Sequence, residues 1–277
     1  MPDLLVRTLS GALIIIFTVC VILLSQWGFG ALLLAITLGG VNEMYRMISD
    51  HGAQPQRVLG LVASAMIYLF SFDYFFNDSV FNIPLSLFLM LLLPSMFFVE
   101  LFKGGDNSLR NLGSTVLALF YVALPMSLLV GVPLMMSEDG VWNPWYMVAY
   151  MFIIWGNDSF AYLFGMLFGR HRLNEKISPK KSWEGFYGGI AGAIVVSCVI
   201  AYLFGGTYLL WSGLALVVSV TGVMGDLVES MFKRDCGVKD AGVLIPGHGG
   251  WLDRFDGLIL SAPFALAYLL IIKMTGL

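Results

Sequence analysis

The chain has 277 residues, 58% of them hydrophobic and only 12% charged, with a formal net charge of −3. Soluble domains carry about 25% charged residues, so half that share places the chain in the membrane class, and the acidic balance argues against nucleic acid as a partner. Of the three cysteines, Cys20 and Cys198 sit in apolar runs and Cys236 stands alone in a polar loop, which leaves neither a disulfide framework nor a paired metal motif.

A membrane-spanning helix needs about 20 mostly apolar residues. That length selects nine stretches in chain order: 9–26, 28–46, 58–75, 83–102, 112–135, 145–168, 186–204, 208–231 and 257–275. The expected fold is all-α, a polytopic integral membrane protein. The first stretch is no cleaved leader, because Ser25-Gln26-Trp27 lacks a small-x-small site. The long run 186–231 divides at Gly205-Gly206-Thr207, a tight-turn sequence. Asn42 and Glu43 mark the end of the second helix, with Glu43 able to reach into the bundle. Three groups of helices follow: 1–75 holds the first three, 76–140 the fourth and fifth, and 141–277 the last four with their polar loops.

Orientation is an independent reading. Nine spans put Arg7, Arg46, Arg57, Lys103, Arg110, Arg170, Arg172, Lys176, Lys180, Lys181, Lys233, Arg234, Lys239 and Arg254 on one face, 14 of the 15 Lys and Arg, with only Lys273 opposite. The positive-inside rule makes the crowded face, and the N-terminus, cytoplasmic. The other face instead carries acids: Asp73, Asp78, Glu138 and Asp139.

Two stretches on the cytoplasmic face, 155–189 and 225–257, are too polar to be mere connectors. In the second, Asp226, Glu229, Ser230 and Lys233 form one helical stripe, and Asp253 and Asp256 share a face if the ninth helix has begun there. Hard carboxylate oxygens without cysteine suit Mg²⁺, which binds one or two carboxylates together with phosphate and water oxygens. The plainer alternative is a charge cluster in which these acids pair with Lys233, Arg234, Lys239 and Arg254. Between the acids lies Pro246-Gly247-His248-Gly249-Gly250, a glycine segment whose amides suit an anion, or a simple turn. His248 either donates to a phosphate, assists proton movement or holds that turn.

In the first stretch, Asp158 lies inside the sixth span with Tyr162, Gly165 and Gly169 on its face. A carboxylate at that depth needs a metal or a cation. Then Ser178-Pro179-Lys180-Lys181-Ser182-Trp183-Glu184-Gly185 places lysines and hydroxyls ahead of a helix start, an arrangement for a polyphosphate or for anionic lipid. His51 and His171 are lone loop histidines. No GxSxG, Walker A or HExxH pattern occurs, so serine hydrolysis, P-loop chemistry and zinc proteolysis lose their usual markers.

The run Ser230-x-Phe232-Lys233-Arg234-x₄-Lys239-Asp240-x-Gly242-x₂-Ile245-Pro246-x-His248-Gly249-Gly250-x-Leu252-Asp253-Arg254-Phe255-Asp256 closely resembles the signature of the phosphatidate cytidylyltransferase (CDP-diacylglycerol synthase) family. Asp158-x₂-Ala161-Tyr162-x₂-Gly165-x₃-Gly169-Arg170 and Ser178-Pro179-Lys180-Lys181-Ser182-x-Glu184-Gly185 are similar to the same family. Trp251 departs from it, standing where an aliphatic residue is expected.

The resemblance implies transfer of CMP from CTP to phosphatidic acid, with Mg²⁺ and possibly a second cation, at the cytoplasmic face of the inner (plasma) membrane, by a homodimer. It implies Asp226, Asp253 and Asp256 as metal ligands, with Lys233, Arg234 and His248 in the candidate catalytic set. Substrate binding falls to Asp158, Ser178, Lys180, Lys181, Ser182, Glu184, Lys239, Asp240, Gly249, Gly250 and Arg254. A CTP-dependent polyprenol or lipid kinase shares such a cradle and is the nearest alternative. A transporter is more distant, because the charges gather at helix ends and transport sites favour the midplane.

Overall fold

In chain order, apolar periodicity becomes helix almost throughout. The computed structural model describes residues 2–76, 85–104, 106–137, 139–242 and 249–275. Helices α1 (Pro2–Leu24), α2 (Gln26–Asp50), α3 (Arg57–Phe76) and α4 (Leu85–Lys103) precede a long broken helix. That helix consists of α5 (Ser108–Ala118), a π-helical turn (Leu119–Ala123), α6 (Leu124–Leu129) and α7 (Val132–Met136). After it come α8 (Pro144–Phe168), a hairpin of β1 (Arg172–Asn174) and β2 (Ser178–Ser182), α9 (Trp183–Phe204), α10 (Tyr208–Asp235) and α11 (Leu252–Thr275).

Local chemistry sets the breaks. Ser25 starts α2 by accepting the Gly28 N–H at 3.0 Å. Pro125 lacks an N–H and its ring crowds the carbonyl one turn back, which the π-helical turn before it absorbs. Gly205 and Gly206, at φ +78° and +87°, separate α9 from α10 where the sequence predicts a turn.

Seven helical stretches among the described residues are long and apolar enough to cross a membrane: α2, α3, Ser108–Met136, α8, α9, α10 and α11. Helices α1 and α4 lie on the two remaining apolar stretches of the sequence. Many large apolar side chains face outward, among them Phe102 at 86% and Leu167 at 67% exposure. Such surface costs about 25 cal/mol per Å² in water and nothing in lipid. The protein is an all-α polytopic membrane protein.

The chain forms two compact units, Met1–Gly131 with Asp235–Arg254, and Val132–Arg234 with Phe255–Leu277. In the first, Phe29, Met44, Tyr45, Tyr68, Val122 and Met126 are fully buried. Two buried hydroxyls there find backbone acceptors: that of Tyr45 donates to the Thr115 carbonyl at 2.9 Å and that of Tyr68 to Gly30 at 2.8 Å. Buried Glu100 accepts from Gln56 Nε2 at 3.0 Å and Asn111 Nδ2 at 2.8 Å, tying the ends of α4 and α5 to the start of α3.

In the second unit α8 and α9 pack backbone to backbone. A Cβ at Gly185 would lie 2.8 Å from the Ala161 carbonyl and 3.2 Å from Gly165 Cα, so only small residues allow this approach. Tyr150 and Ser261 hydroxyls, 2.8 Å apart, join α8 to α11. Helices α10 and α11 meet where Gly222 faces Gly257.

Candidate active site

The stripe on α10 forms as its spacing predicts. The Ser230 hydroxyl donates to Asp226 Oδ1 at 3.2 Å, and Lys233 Nζ donates to Glu229 Oε2 at 2.7 Å, both one turn apart. Gly225 is what brings α11 to this stripe, since a Cβ there would stand 2.6 Å from the Asp256 carbonyl oxygen. Asp226, Glu229 and Asp256 consequently each offer an oxygen, and the three oxygens lie within 4.8 Å of one another. Lys181 reaches in from β2, its Nζ 2.5 Å from Asp226 Oδ2.

Three carboxylates at this spacing repel. Each pair costs about 3 kcal/mol at an effective dielectric of 20. Lys181 and Lys233 offset two of the three charges, leaving a net −1 on the cluster. Oxygen-only donors, mutual repulsion and a residual negative charge fit a hard divalent cation, for which Asp226, Glu229 and Asp256 are the residues placed to provide ligands. Asp158 on α8 feels the charges of Asp226 and Lys181 and accepts from Asn157 Nδ2 at 3.3 Å.

The hairpin 172–182 turns the lysine-serine segment into a strand. Its β2 pairs antiparallel with β1, Arg172 opposite Ser182 and Asn174 opposite Ser178. Strand alternation sends neighbouring Lys180 and Lys181 to opposite faces, so Lys180 is exposed while Lys181 is half-buried against Asp226. Ser182 caps α9, its hydroxyl accepting the Gly185 N–H at 3.2 Å. Glu184 accepts the backbone N–H groups of Arg170 at 3.1 Å and His171 at 3.2 Å, and sits 2.6 Å from His171 Nδ1. His171, a loop histidine in the sequence reading, has Glu184 as its partner.

In the first unit, Asp253 lies in the opening turn of α11. Its Oδ2 accepts the N–H of Ala241 at 2.9 Å and of Gly250 at 2.8 Å. Gly249 is at φ +82° with Asp253 Oδ2 where a Cβ would be, 2.6 Å away, so the backbone conformation and the close approach both require glycine. Arg234, Lys239, Asp240 and Arg254 are all exposed. His248 lies outside the described residues, with Ile245, Pro246 and Gly247. Partial burial and the neighbouring Asp235 push the Cys236 thiol up, against the pull of Arg110, so it is a poor nucleophile.

Two residues gain importance over the sequence reading. Glu229 joins Asp226 and Asp256, a partnership its i, i+3 spacing already signalled. Glu43, which the sequence allows to reach into the bundle, is buried and accepts the Leu252 N–H at 3.0 Å; its signal is an acid inside an apolar helix.

Residues 5–272 match the Cytidylyltransferase family. A Synechocystis protein named phosphatidate cytidylyltransferase is 29% identical over 294 aligned positions, covering 96% of each chain. Proteins of the same name from Staphylococcus aureus and Mycobacterium bovis are 44% identical over 120 and 40% identical over 162 positions, covering 43% and 57% of this chain and 46% and 52% of their own. With the family match spanning nearly its whole length, this chain belongs to the cytidylyltransferase family.

Proposed function

We propose that the protein transfers CMP from CTP to phosphatidic acid, producing CDP-diacylglycerol and pyrophosphate. The observation that carries this reading is the Asp226–Glu229–Asp256 cluster with Lys181 drawn in from β2, in a chain aligned end to end with a relative named for that reaction. A phosphate oxygen of phosphatidate forms a bond to the α-phosphorus of CTP. The bond from that phosphorus to the bridging oxygen breaks, and pyrophosphate leaves with the electron pair. Phosphatidate is already an anionic nucleophile, so no strong base is required.

The chain's own work is positioning and neutralisation, which dominate phosphoryl chemistry. Lys181 and Lys233, held beside the acids, are ammonium groups available to phosphate oxygens. Mg²⁺ held by Asp226, Glu229 and Asp256, with Asp253 one turn before Asp256, supplies charge shielding at the phosphates when bound. Lys180, Arg234, Lys239 and Arg254 are exposed cations for the triphosphate and the lipid head. Ser178, Asp240, Gly249, Gly250 and His248 are the remaining residues proposed for substrate binding.

Purified protein with Mg²⁺ is expected to move label from the α-phosphate of CTP into chloroform-soluble lipid and to release γ-label as pyrophosphate. Lipid labelled from the γ position would establish a lipid kinase instead.

We also propose nine spans with a cytoplasmic N-terminus, an active site facing the cytoplasm of the inner membrane, and a homodimer. The 14-to-1 split of basic residues supports the orientation. In a variant without the three native cysteines, Val141→Cys is expected to react with an impermeant maleimide added outside intact cells. Asp106→Cys is expected to stay unlabelled; the reverse pattern would overturn the topology.

A further inference from the structure

We infer that Glu43 is a positioning residue for the transfer reaction: from α2 it holds Gly242, Gly250 and the start of α11 in place. The inference rests on the reading of 241–256 as part of the cytidylyl-transfer machinery.

Glu43 is only 6% exposed, within an apolar helix where a carboxylate is costly to keep. Among the described residues its hydrogen-bond donors are backbone N–H groups far along the chain, at Trp251 and Leu252. The Leu252 N–H lies 3.0 Å from Oε2, and the Trp251 N–H faces the same carboxylate. The first N–H groups of a helix have no partner within it, and its N-terminus favours negative charge, so Glu43 acts as the cap of α11 supplied from another helix.

Two glycines let the chain come close to this acid. Gly242 and Gly250 both lie against the Glu43 carboxylate, and a Cβ at Gly242 would stand 2.5 Å from Oε1. The adjoining surface of α2 is shaped in return. The Trp251 indole rests on Gly39, where a Cβ would lie 2.6 Å from the ring, and a Cβ on Gly40 would lie 3.3 Å from Leu252 Cδ2. Gly39, Gly40 and Glu43 fall on one face of α2, spaced i, i+1 and i+4. The unusual Trp251 therefore has a dedicated seat. Glu43, Gly250 and Asp253 form a chain of contacts: Glu43 holds Leu252, and Asp253 in turn holds the Gly250 and Ala241 N–H groups. Since Asp256 follows Leu252 by one turn of α11, its placement depends on where that helix begins.

Glu43→Gln keeps the size but replaces one acceptor oxygen with an N–H donor aimed at backbone donors. Misplacement by a fraction of an ångström is expected to lower kcat by about 10- to 100-fold while KM for CTP stays within about threefold. Hydrogen exchange is expected to quicken at 241–252 alone, with the thermal midpoint near that of the unaltered protein. Glu43→Asp, which keeps the charge on a shorter arm, is expected to recover part of kcat and of the exchange protection. Should Glu43→Gln not accumulate, Glu43→Asp carries the same test, with a partial loss of both. A kcat within twofold of the unaltered protein, or faster exchange throughout with a lowered midpoint, would overturn the inference. Failure of the unaltered protein to transfer CMP would instead remove the function reading, and the exchange result would still stand or fall by itself.

Discussion

Asp256→Asn and Asp226→Asn are each expected to reduce transfer by on the order of 10²–10³-fold, the scale seen when a single charge-stabilising group is removed from a transition state. The substitution leaves size nearly unchanged and removes one negative charge from a cluster of three. Its effect on stability separates the readings of that cluster. If the acids serve only to pair with Lys181 and Lys233, losing one destabilises the fold and leaves turnover within a few-fold. If they hold a cation, removing one relieves repulsion, so the thermal midpoint in Mg²⁺-free buffer is expected to hold or rise. The added stability that Mg²⁺ confers by binding the folded state is then expected to vanish. Retention of that Mg²⁺-dependent stabilisation in Asp256→Asn would remove the assignment.

Asp253→Asn divides the two tasks open to that residue. A loss of activity with altered Mg²⁺ dependence puts Asp253 among the metal ligands. A loss with unaltered Mg²⁺ dependence leaves it as the organiser of the Ala241 and Gly250 amides, and near-normal activity excludes both roles.

The second large effect is expected from a single methyl group. Gly225→Ala places a Cβ 2.6 Å from the Asp256 carbonyl and 3.0 Å from Leu260 Cβ, and a backbone oxygen within a helix cannot step aside cheaply. Forcing α10 and α11 apart costs about 1–3 kcal/mol as overpacking, against a gain of about 1 kcal/mol in helix propensity. The net loss of stability is therefore about 0–2 kcal/mol, while the carboxylates separate and activity is expected to fall by about 100-fold. Gly113→Ala is the control. It lies inside α5 with nothing within 4 Å of an added Cβ, and is expected to be neutral or slightly stabilising at full activity. Equal activity of the two variants, measured by CTP-dependent lipid labelling beside thermal midpoints, would show that the approach of α10 to α11 is not what assembles the site.

The order and type of the elements were legible in the chain because they depend on short-range patterns. Apolar runs of span length became helices, Gly205-Gly206 became the break between α9 and α10, and i, i+3, i+4 spacing brought Asp226, Glu229 and Ser230 to one stripe. The glycine-rich signature was legible for the same reason, since positive φ at Gly249 is a local demand. Partnership across the bundle was not. Periodicity says which face of α2 carries Glu43, but not that the face meets an N–H 209 residues away. Only packing decides which of two adjacent lysines turns inward, and the strand at 178–182, read from the sequence as a loop before a helix, gives that place to Lys181. Likewise spacing pairs Asp226 with Glu229, but their meeting with Asp256 depends on how closely two backbones approach at Gly225. A helix can display its acids by sequence alone; which acids converge is decided by the small residues that let another helix come near.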